Sequence, residues 1–312
     1  MGLFPKQAAE YVAQAGIPTG PLSKIYVVDP VNGSASNTGL SFKSPLLGLE
    51  AAFALATANQ NDTIILVGGA TGIALADTIT WNKSYTHLIG LSADLPGVGQ
   101  RCRVTCSTSP DETQVMTVSG NGCIFRNIQF YNGTDANADS GAVSVTGNRN
   151  EFTNCFFAGM AHATPGARAG SYSLTVSGQE NLFRDCAIGL DTIVRAAANA
   201  ELVLASGATR NVFRHCRFLS YSETAGKFLV SVADGVDRWN EFEDCVFQNF
   251  SVNWATTLTD AFNVTAAATH QIVLRGLNQL VGVTGWANTV THLYSAAQQS
   301  NAGFGVQVNP TA

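Results

Sequence analysis

Charged residues are scarce in this sequence: Asp, Glu, Lys and Arg make up 12% of the 312 residues, and the formal net charge is −5. This acidic balance argues against a nucleic-acid-binding protein, which would carry a basic patch. Apolar runs long enough for a membrane-spanning helix are also missing, although 46% of the residues are hydrophobic. We therefore expect neither a nucleic-acid partner nor a membrane span. Such a sparsely charged surface is expected of a protein that packs against neighbours in an assembly.

Helical periodicity is absent from the middle of the chain, where a short phrase repeats instead. The phrase reads Asn-x-Phe-x-x-Cys-x-Phe/Ile and occupies 150–157, 181–188, 211–218 and 240–247, with a degenerate copy at 123–130. An alternating, β-branched run that ends in small or turn residues precedes each copy, which indicates strand, turn and strand. Self-similarity with a period of about 27 to 31 residues predicts a solenoid. Because no helical stripe is present, each repeat is predicted to be one coil of a parallel β-helix rather than a helical repeat.

Stacking such coils about 4.8 Å apart turns every position of the phrase into a column. Two apolar columns and a thiol column are predicted to point inward: Phe152, Phe183, Phe213 and Phe242; Phe157, Ile188, Phe218 and Phe247; Cys155, Cys186, Cys216 and Cys245. The leading asparagines are predicted to form a coil-to-coil amide ladder: Asn150, Asn181, Asn211 and Asn240. The strand must bend just before each cysteine, at residues that tolerate a left-handed backbone: Asn127, Asn154, Asp185, His215 and Asp244.

These phrases resemble the coils of right-handed parallel β-helix proteins of the pectin-lyase-like type, over roughly residues 60–282. The resemblance implies an all-β, right-handed parallel β-helix. We expect an N-terminal arm at 1–23, a β-helix with its N-terminal cap at 24–282, and a C-terminal arm at 283–312. A helix at about 45–58, with Ser44 as N-cap and Pro45 at the first helical position, is predicted to cover the open end of the solenoid. This cap is similar to that of many phage-encoded β-helix proteins.

The strongest catalytic candidate is His215, which the predicted stacking places between Asp185 and Asp244. Two carboxylates separated by two rungs, about 9 to 10 Å, approach the spacing used in inverting glycoside hydrolysis. The same column is explained by bend geometry alone, since Asn127 and Asn154 occupy it elsewhere. No signature of a pectate lyase or polygalacturonase is found. The structural interpretation is favoured, and the chain is not expected to be an enzyme.

The seven cysteines could indicate disulfides or a metal site. Parallel side chains on neighbouring coils are poorly oriented for bridging, and Cys102 and Cys106 lack the further ligands of a zinc site. We predict buried free thiols, no metal and no cofactor, as suits folding in a reducing host cytoplasm.

Two short segments, 86–101 and 306–312, are similar to β-helix proteins encoded close to phage major capsid proteins. The resemblance implies a structural virion protein on the capsid surface that decorates or cements it by binding the major capsid protein. Proteins of this kind commonly stand as trimers, and we expect a homotrimer with the insertions at 158–171 and 248–260, including Trp254, at its contact. One alternative is a tailspike or fibre module that binds or cleaves host polysaccharide, for which the aromatic residues are hints: Tyr221, Trp239 and Trp254. A free polysaccharide lyase or hydrolase is the other alternative.

Overall fold

The computed structural model describes residues 4–93, 102–106, 112–265, 270–289, 293–295 and 306–307. It confirms the prediction of an all-β parallel β-helix. Among the described residues, three sheets of eleven, eight and eight strands run along the solenoid. Neighbouring strands pair in parallel, apart from an antiparallel pair at the C-terminal end of the longest sheet. No helix in the described part of the chain is long and apolar enough to cross a membrane.

The longest sheet, sheet A, contains β1 (Ile25–Val28), β2 (Asp62–Val67), β5 (Thr86–Leu91), β8 (Ile124–Arg126), β11 (Glu151–Thr153), β14 (Leu182–Arg184), β17 (Val212–Arg214), β20 (Arg238–Glu243), β23 (His270–Arg275), β26 (Leu293–Ser295) and β27 (Val306–Gln307). Sheet B contains β3 (Ile73–Leu75), β6 (Arg103–Cys106), β9 (Gln129–Tyr131), β12 (Phe156–Ala158), β15 (Ala187–Val194), β18 (Arg217–Tyr221), β21 (Val246–Phe250) and β24 (Gln279–Val281). Sheet C contains β4 (Ile79–Trp81), β7 (Gln114–Val118), β10 (Gly141–Val145), β13 (Leu174–Val176), β16 (Ala200–Leu204), β19 (Phe228–Val232), β22 (Leu258–Val264) and β25 (Val283–Ala287).

Each coil from β7 onward passes through sheet C, then sheet A, then sheet B. The bend between sheets A and B is made by a single left-handed residue whose φ lies between 52° and 56°, and these residues form the bend column: Asn127, Asn154, Asp185, His215 and Asp244. Asn, Asp and His adopt this conformation more readily than most residues. The insertions follow the sheet B strand of each coil, so they project from one flank of the solenoid, here called the insertion flank.

Aromatic ladders fill the interior. The rings of Phe152, Phe183 and Phe213 stack face to face with centroids 4.9 and 4.7 Å apart. Phe218 and Phe247 stack in the same way at 4.7 Å in the second apolar column. Full burial of each ring stabilises the fold by about 2 to 3 kcal/mol.

Buried asparagines bond one coil to the next at the turn between sheets C and A. The Asn181 side chain accepts a hydrogen bond from the backbone N–H of Asn150, and its amide donates to Oδ1 of Asn211 and to the Gly147 carbonyl. Asn211 and Asn240 repeat this arrangement one coil further on. The ladder satisfies buried turn carbonyls that lie outside the sheet hydrogen bonds.

Two boundaries of the cap and the C-terminal arm differ from the sequence prediction. The cap helix α2 spans Leu49–Leu55, and Gly48 rather than Ser44 precedes it, without a side-chain cap. The helix begins late because Leu46 continues the edge of sheet A, donating its N–H to Val27 and accepting from Asp29. Residues 283–287 form β25, and 293–295 form β26, so the solenoid extends past 282. Residues 290–292, 296–305 and 308–312 of the predicted C-terminal arm lie outside the described residues, as do 94–101 of the segment 86–101.

The predicted N-terminal arm contains helix α1 (Phe4–Gln14), which lies on the solenoid. Val12 and Ile17 pack against Ile65 and Ile89 on the outer face of sheet A. The arm therefore covers the first coils of its own chain.

Candidate functional site

The bend column places His215 between two carboxylates, as the sequence predicted. Nδ1 of His215 lies 3.4 Å from Oδ1 of Asp185, and Nε2 lies 3.7 Å from Oδ2 of Asp244. The three side chains are 40 to 53% exposed. The imidazole occupies the space between the carboxylates that an inverting hydrolase leaves for substrate and water. Asp244 also accepts a hydrogen bond from the Leu277 N–H, at 2.7 Å, so it supports the next bend.

The same column continues toward the N-terminus with neutral amides. The Asn154 amide donates to Oδ1 of Asn127 at 2.9 Å. Side chains thus bridge successive coils along the column whether they are charged or neutral. This regularity favours a structural role for His215 and its two carboxylate neighbours.

Ion pairs on the outer face of sheet A also run from coil to coil, and the sequence analysis did not identify them. Glu151 bridges Arg126 and Arg184 at 3.0 and 2.8 Å. In the described residues, further cross-coil pairs lie in the turns before sheet A and on the sheet itself: Arg149–Glu180 and Arg210–Glu180 in the turns, Arg214–Glu243 and Arg275–Glu241 on the sheet. Burial opposes ionisation of Glu151, but the Thr153 hydroxyl and the two guanidinium groups lower the pKa of its carboxyl below the ordinary value. Opposite charges at facing or diagonal positions of successive repeats are the signal that could have predicted these pairs.

A second candidate region is the Trp254 turn, residues 251–257 on the insertion flank. Val252 and Trp254 are 50% and 55% exposed, and the turn contains no charged residue. The Ser251 hydroxyl bonds to Thr256 in both directions, at 2.9 and 3.1 Å, and the Val252 N–H donates to Glu223 at 2.7 Å. These bonds hold an uncharged turn that exposes two apolar side chains, Val252 and Trp254.

The backbone of Trp254 is strained. Its φ is +54°, a conformation that a bulky side chain rarely adopts. The Trp254 and Phe250 rings meet edge to face, with their centroids 6.0 Å apart. The centroids of the Phe250 and Tyr221 rings are 5.1 Å apart. Trp239 lies apart from these aromatics, in β20 of sheet A. Of the three aromatic residues named from the sequence, the structure therefore brings together only Tyr221 and Trp254, with Phe250 between them.

A buried ion pair joins the insertion at 189–200 to β16, and no pattern in the sequence predicted it. Nε of Arg195 lies 2.7 Å from Oε1 of Glu201, and both side chains are 1% exposed. Arg195 also donates to the Met160 carbonyl, and Ser173 donates to Glu201. Burial raises the pKa of the Glu201 carboxyl, against the opposing effects of Arg195 and Ser173. The pair ties the insertion at 158–171 to the one at 189–200.

A groove of about 470 Å³ lies beside helix α1 and is here called the α1 groove. One wall comes from the end of α1 and from sheet A, and the floor comes from the bend column and from the strands next to it. The lining residues are Tyr11, Gln14, Ala15, Ile89, Arg126, Asn127, Thr153, Asn154 and Asp185.

All seven cysteines are buried and free. The column thiols point inward, and Cys186 and Cys245 donate to the Phe152 and Phe213 carbonyls of preceding coils. Burial raises the pKa of the Cys102 thiol to about 11. In the described part of the chain, no group of three or more His, Cys, Asp or Glu side chains is placed to hold a metal ion.

No family model matches the chain, and no curated protein matches it in sequence. Among solved structures, it is similar to a pectin methylesterase in complex with a hexasaccharide, with 16% identity, 94% of each chain covered and a TM-score of 0.57. It is also similar to the pectin methylesterase PemA from Erwinia chrysanthemi, with 14% identity, 92% and 93% covered and a TM-score of 0.55. A rhamnogalacturonan lyase gives 15% identity, 82% and 68% coverage and a TM-score of 0.57. These neighbours are pectin-lyase-like, right-handed parallel β-helix proteins, and at such identities the likeness establishes the fold alone.

Proposed function

We propose that the chain is a structural virion protein of a tailed bacteriophage that decorates or cements the capsid by binding the major capsid protein. In this proposal it stands as a homotrimer on the capsid surface, with the Trp254 turn at the contact between subunits. The similarity of segments 86–101 and 306–312 to β-helix proteins encoded close to capsid proteins supports the phage context.

The Trp254 turn is the observation that carries the proposal. A large aromatic side chain, more than half exposed, is held in a strained conformation by hydrogen bonds within the turn. Strain of this kind persists where the surrounding structure imposes it, and it clusters at functional sites. Tryptophan is also enriched among the residues that dominate the binding energy of protein interfaces. A fixed, exposed tryptophan therefore suits a protein contact.

The experiment is co-sedimentation of the purified chain with empty capsids of the phage that encodes it. We expect saturable binding at a fixed copy number per capsid and a trimer of about three times 32.8 kDa by light scattering. Absence of the chain at stoichiometric copy number from purified virions would contradict the proposal. Negative-stain images of the mixture would place the bound copies on the particle.

A second candidate function is binding or cleavage of host polysaccharide by a tailspike, a fibre module or a free enzyme. The aromatic row Tyr221–Phe250–Trp254 favours it, because exposed rings suit stacking against sugars, and several neighbours act on polysaccharides by name. Release of reducing ends from a panel of acidic and capsular glycans tests this function. If release occurs and disappears in both Asp185→Asn and Asp244→Asn, the bend column is catalytic and the structural proposal is wrong.

A further inference from the structure

The α1 groove collects hydrogen-bonding side chains whose charges cancel. Arg126 supplies a guanidinium and Asp185 a carboxylate, while Gln14, Asn127 and Asn154 supply neutral amides. The two charged lining residues sum to zero, and both have partners beside the groove: Arg126 pairs with Glu151 at 3.0 Å, and Asp185 lies 3.4 Å from His215. No charge of one sign therefore dominates the groove. Amides and a carboxylate can each pair with hydroxyl groups, which both donate and accept hydrogen bonds.

The wall of the groove that α1 and sheet A form is partly apolar. Tyr11 and Ile89 line it, and the Tyr11 hydroxyl donates to the Gly90 carbonyl at 3.2 Å. This hydrogen bond anchors the phenol on β5. Ile89 is only 1% exposed, so the accessible part of this wall is the Tyr11 ring. A polar floor facing an anchored aromatic ring matches the two faces of a sugar ring, one with hydroxyl groups and one with C–H groups. The groove volume also falls within the range of small-ligand sites.

The groove is built partly from the repeating coils and partly from a helix that occurs once. The floor is part of the repeating coils, but the wall formed by Tyr11, Gln14 and Ala15 belongs to α1, which occurs once. Further along the column, Asp244 has the same bend geometry but lies outside the groove. The coil repeat alone therefore does not produce the site.

We propose that the α1 groove binds a short, uncharged oligosaccharide, with Asp185, Gln14 and the bend-column amides bonding its hydroxyl groups and Tyr11 packing on a ring face. The site is distinct from the Trp254 turn, so it does not depend on the structural virion role. His215 takes no part in this binding.

Neutral trisaccharides built from glucose, galactose or N-acetylglucosamine are the probes, with trigalacturonic acid as the acidic comparison. Saturation-transfer NMR on the full chain is expected to show saturable binding of at least one neutral probe and weaker binding of the acidic one. Intermolecular NOEs from the Tyr11 ring to that probe locate it in the unaltered protein. Binding of the acidic probe alone, or of none of the probes, would overturn the proposal.

Variants then separate this site from the rest of the column. Asp185→Asn and Gln14→Ala are each expected to weaken the probe's Kd, the first by roughly tenfold because a hydrogen bond to a charged group is lost. Asp244→Asn is the matched control, since it removes the other carboxylate beside His215 but lies outside the groove. Trp254→Ala is the control for sugar binding at the aromatic row. An equal loss of probe affinity in Asp185→Asn and Asp244→Asn, or a loss of affinity in Trp254→Ala, would contradict this location. If a variant does not fold, the NOEs from Tyr11 in the unaltered protein decide whether the probe binds in the groove.

Discussion

The repeating coils and the insertion flank use their aromatic groups in opposite ways. Along the coils, rings such as Phe183 stack inside the solenoid, while side chains such as Asn181 and Glu151 bond to neighbouring coils. On the flank, Trp254 is 55% exposed and projects from a turn held by its own hydrogen bonds and by the bond from the Val252 N–H to Glu223. The comparison indicates that the repeat builds a rod, and that the surfaces available for binding arise where the repeat is interrupted.

The largest effect is expected in the interior of the rod. Phe183→Ala removes a ring that is fully buried and stacked on both sides, so the free energy of unfolding should fall by about 5 kcal/mol, the upper end for such truncations. Denaturant unfolding followed by circular dichroism measures it. Leu277→Ala is the control, because that side chain is 70% exposed and its loss should change stability by less than about 0.5 kcal/mol. Equal losses in the two variants would mean that the aromatic ladder does not hold the coils.

A somewhat smaller effect is expected where the flank meets the coils, because Glu201 lies in β16 and Arg195 in an insertion. Glu201→Ala leaves the guanidinium of Arg195 buried without its carboxylate, which should cost about 3 to 4 kcal/mol. Hydrogen exchange should show the loss first at 158–171 and 189–200, with the coils still protected. If the protection of the coils falls together with that of the flank, the two regions are one cooperative unit and the comparison fails.

His87 makes the stability of the first coils depend on pH. Burial, and then the nearby Arg126, lower the pKa of this imidazole to about 4, while Asp62 opposes the shift. Since the folded pKa lies below the unfolded value of 6.5, the unfolded state binds more protons between the two values. The free energy of unfolding that this histidine contributes is fully present above pH 6.5. It therefore falls by about 3 kcal/mol as the pH is lowered toward 4.

Urea unfolding between pH 7 and pH 4 measures this loss, with His87→Gln as the comparison. The variant should be less stable at pH 7, because His87 accepts a hydrogen bond from the Ile124 N–H, but its stability should depend less on pH. An identical pH dependence in both proteins would show that other groups control the acid response.

The smallest effect is expected at the bend column, where backbone conformation rather than charge is important. His215→Asn keeps a residue that tolerates the left-handed conformation and removes half-exposed contacts with two carboxylates, so stability should change by less than about 1 kcal/mol. His215→Val should lose about 1 to 2 kcal/mol more, because a β-branched residue is strained there. Thermal unfolding of the two variants makes the comparison. A loss as large in His215→Asn as in His215→Val would assign the stability to the imidazole.

The repeating part of the fold could be predicted from sequence because each column recurs. Phe, Cys and Asn stand at fixed positions in the four full phrases. Phe and Cys are three residues apart, which would put them on opposite faces of a straight strand, so their common inward direction predicts the left-handed bend found at Asp185 and His215. The cap helix was placed too early because local capping signals at Ser44 compete with the pairing of Leu46 beside β1.

The non-repeating parts could not be predicted in the same way. The pairing of Arg195 with Glu201 depends on how single insertions fold back, and the α1 groove depends on where one helix lies. Trp254 was predicted to be a contact residue from its residue type, and that role stays a prediction, but neither its positive φ nor its contact with Phe250 could be predicted from one sequence.

The most direct test of the central claim compares Trp254→Ala with His215→Asn, one substitution on the flank and one on the rod. Sedimentation velocity of each variant, alone and with empty capsids, measures both self-association and capsid binding. We expect Trp254→Ala to remain folded but to lose the trimer and bind capsids weakly, whereas His215→Asn behaves as the unaltered protein. An intact trimer and normal capsid binding in Trp254→Ala, or loss of both in His215→Asn, would contradict the claim that the flank makes the contacts.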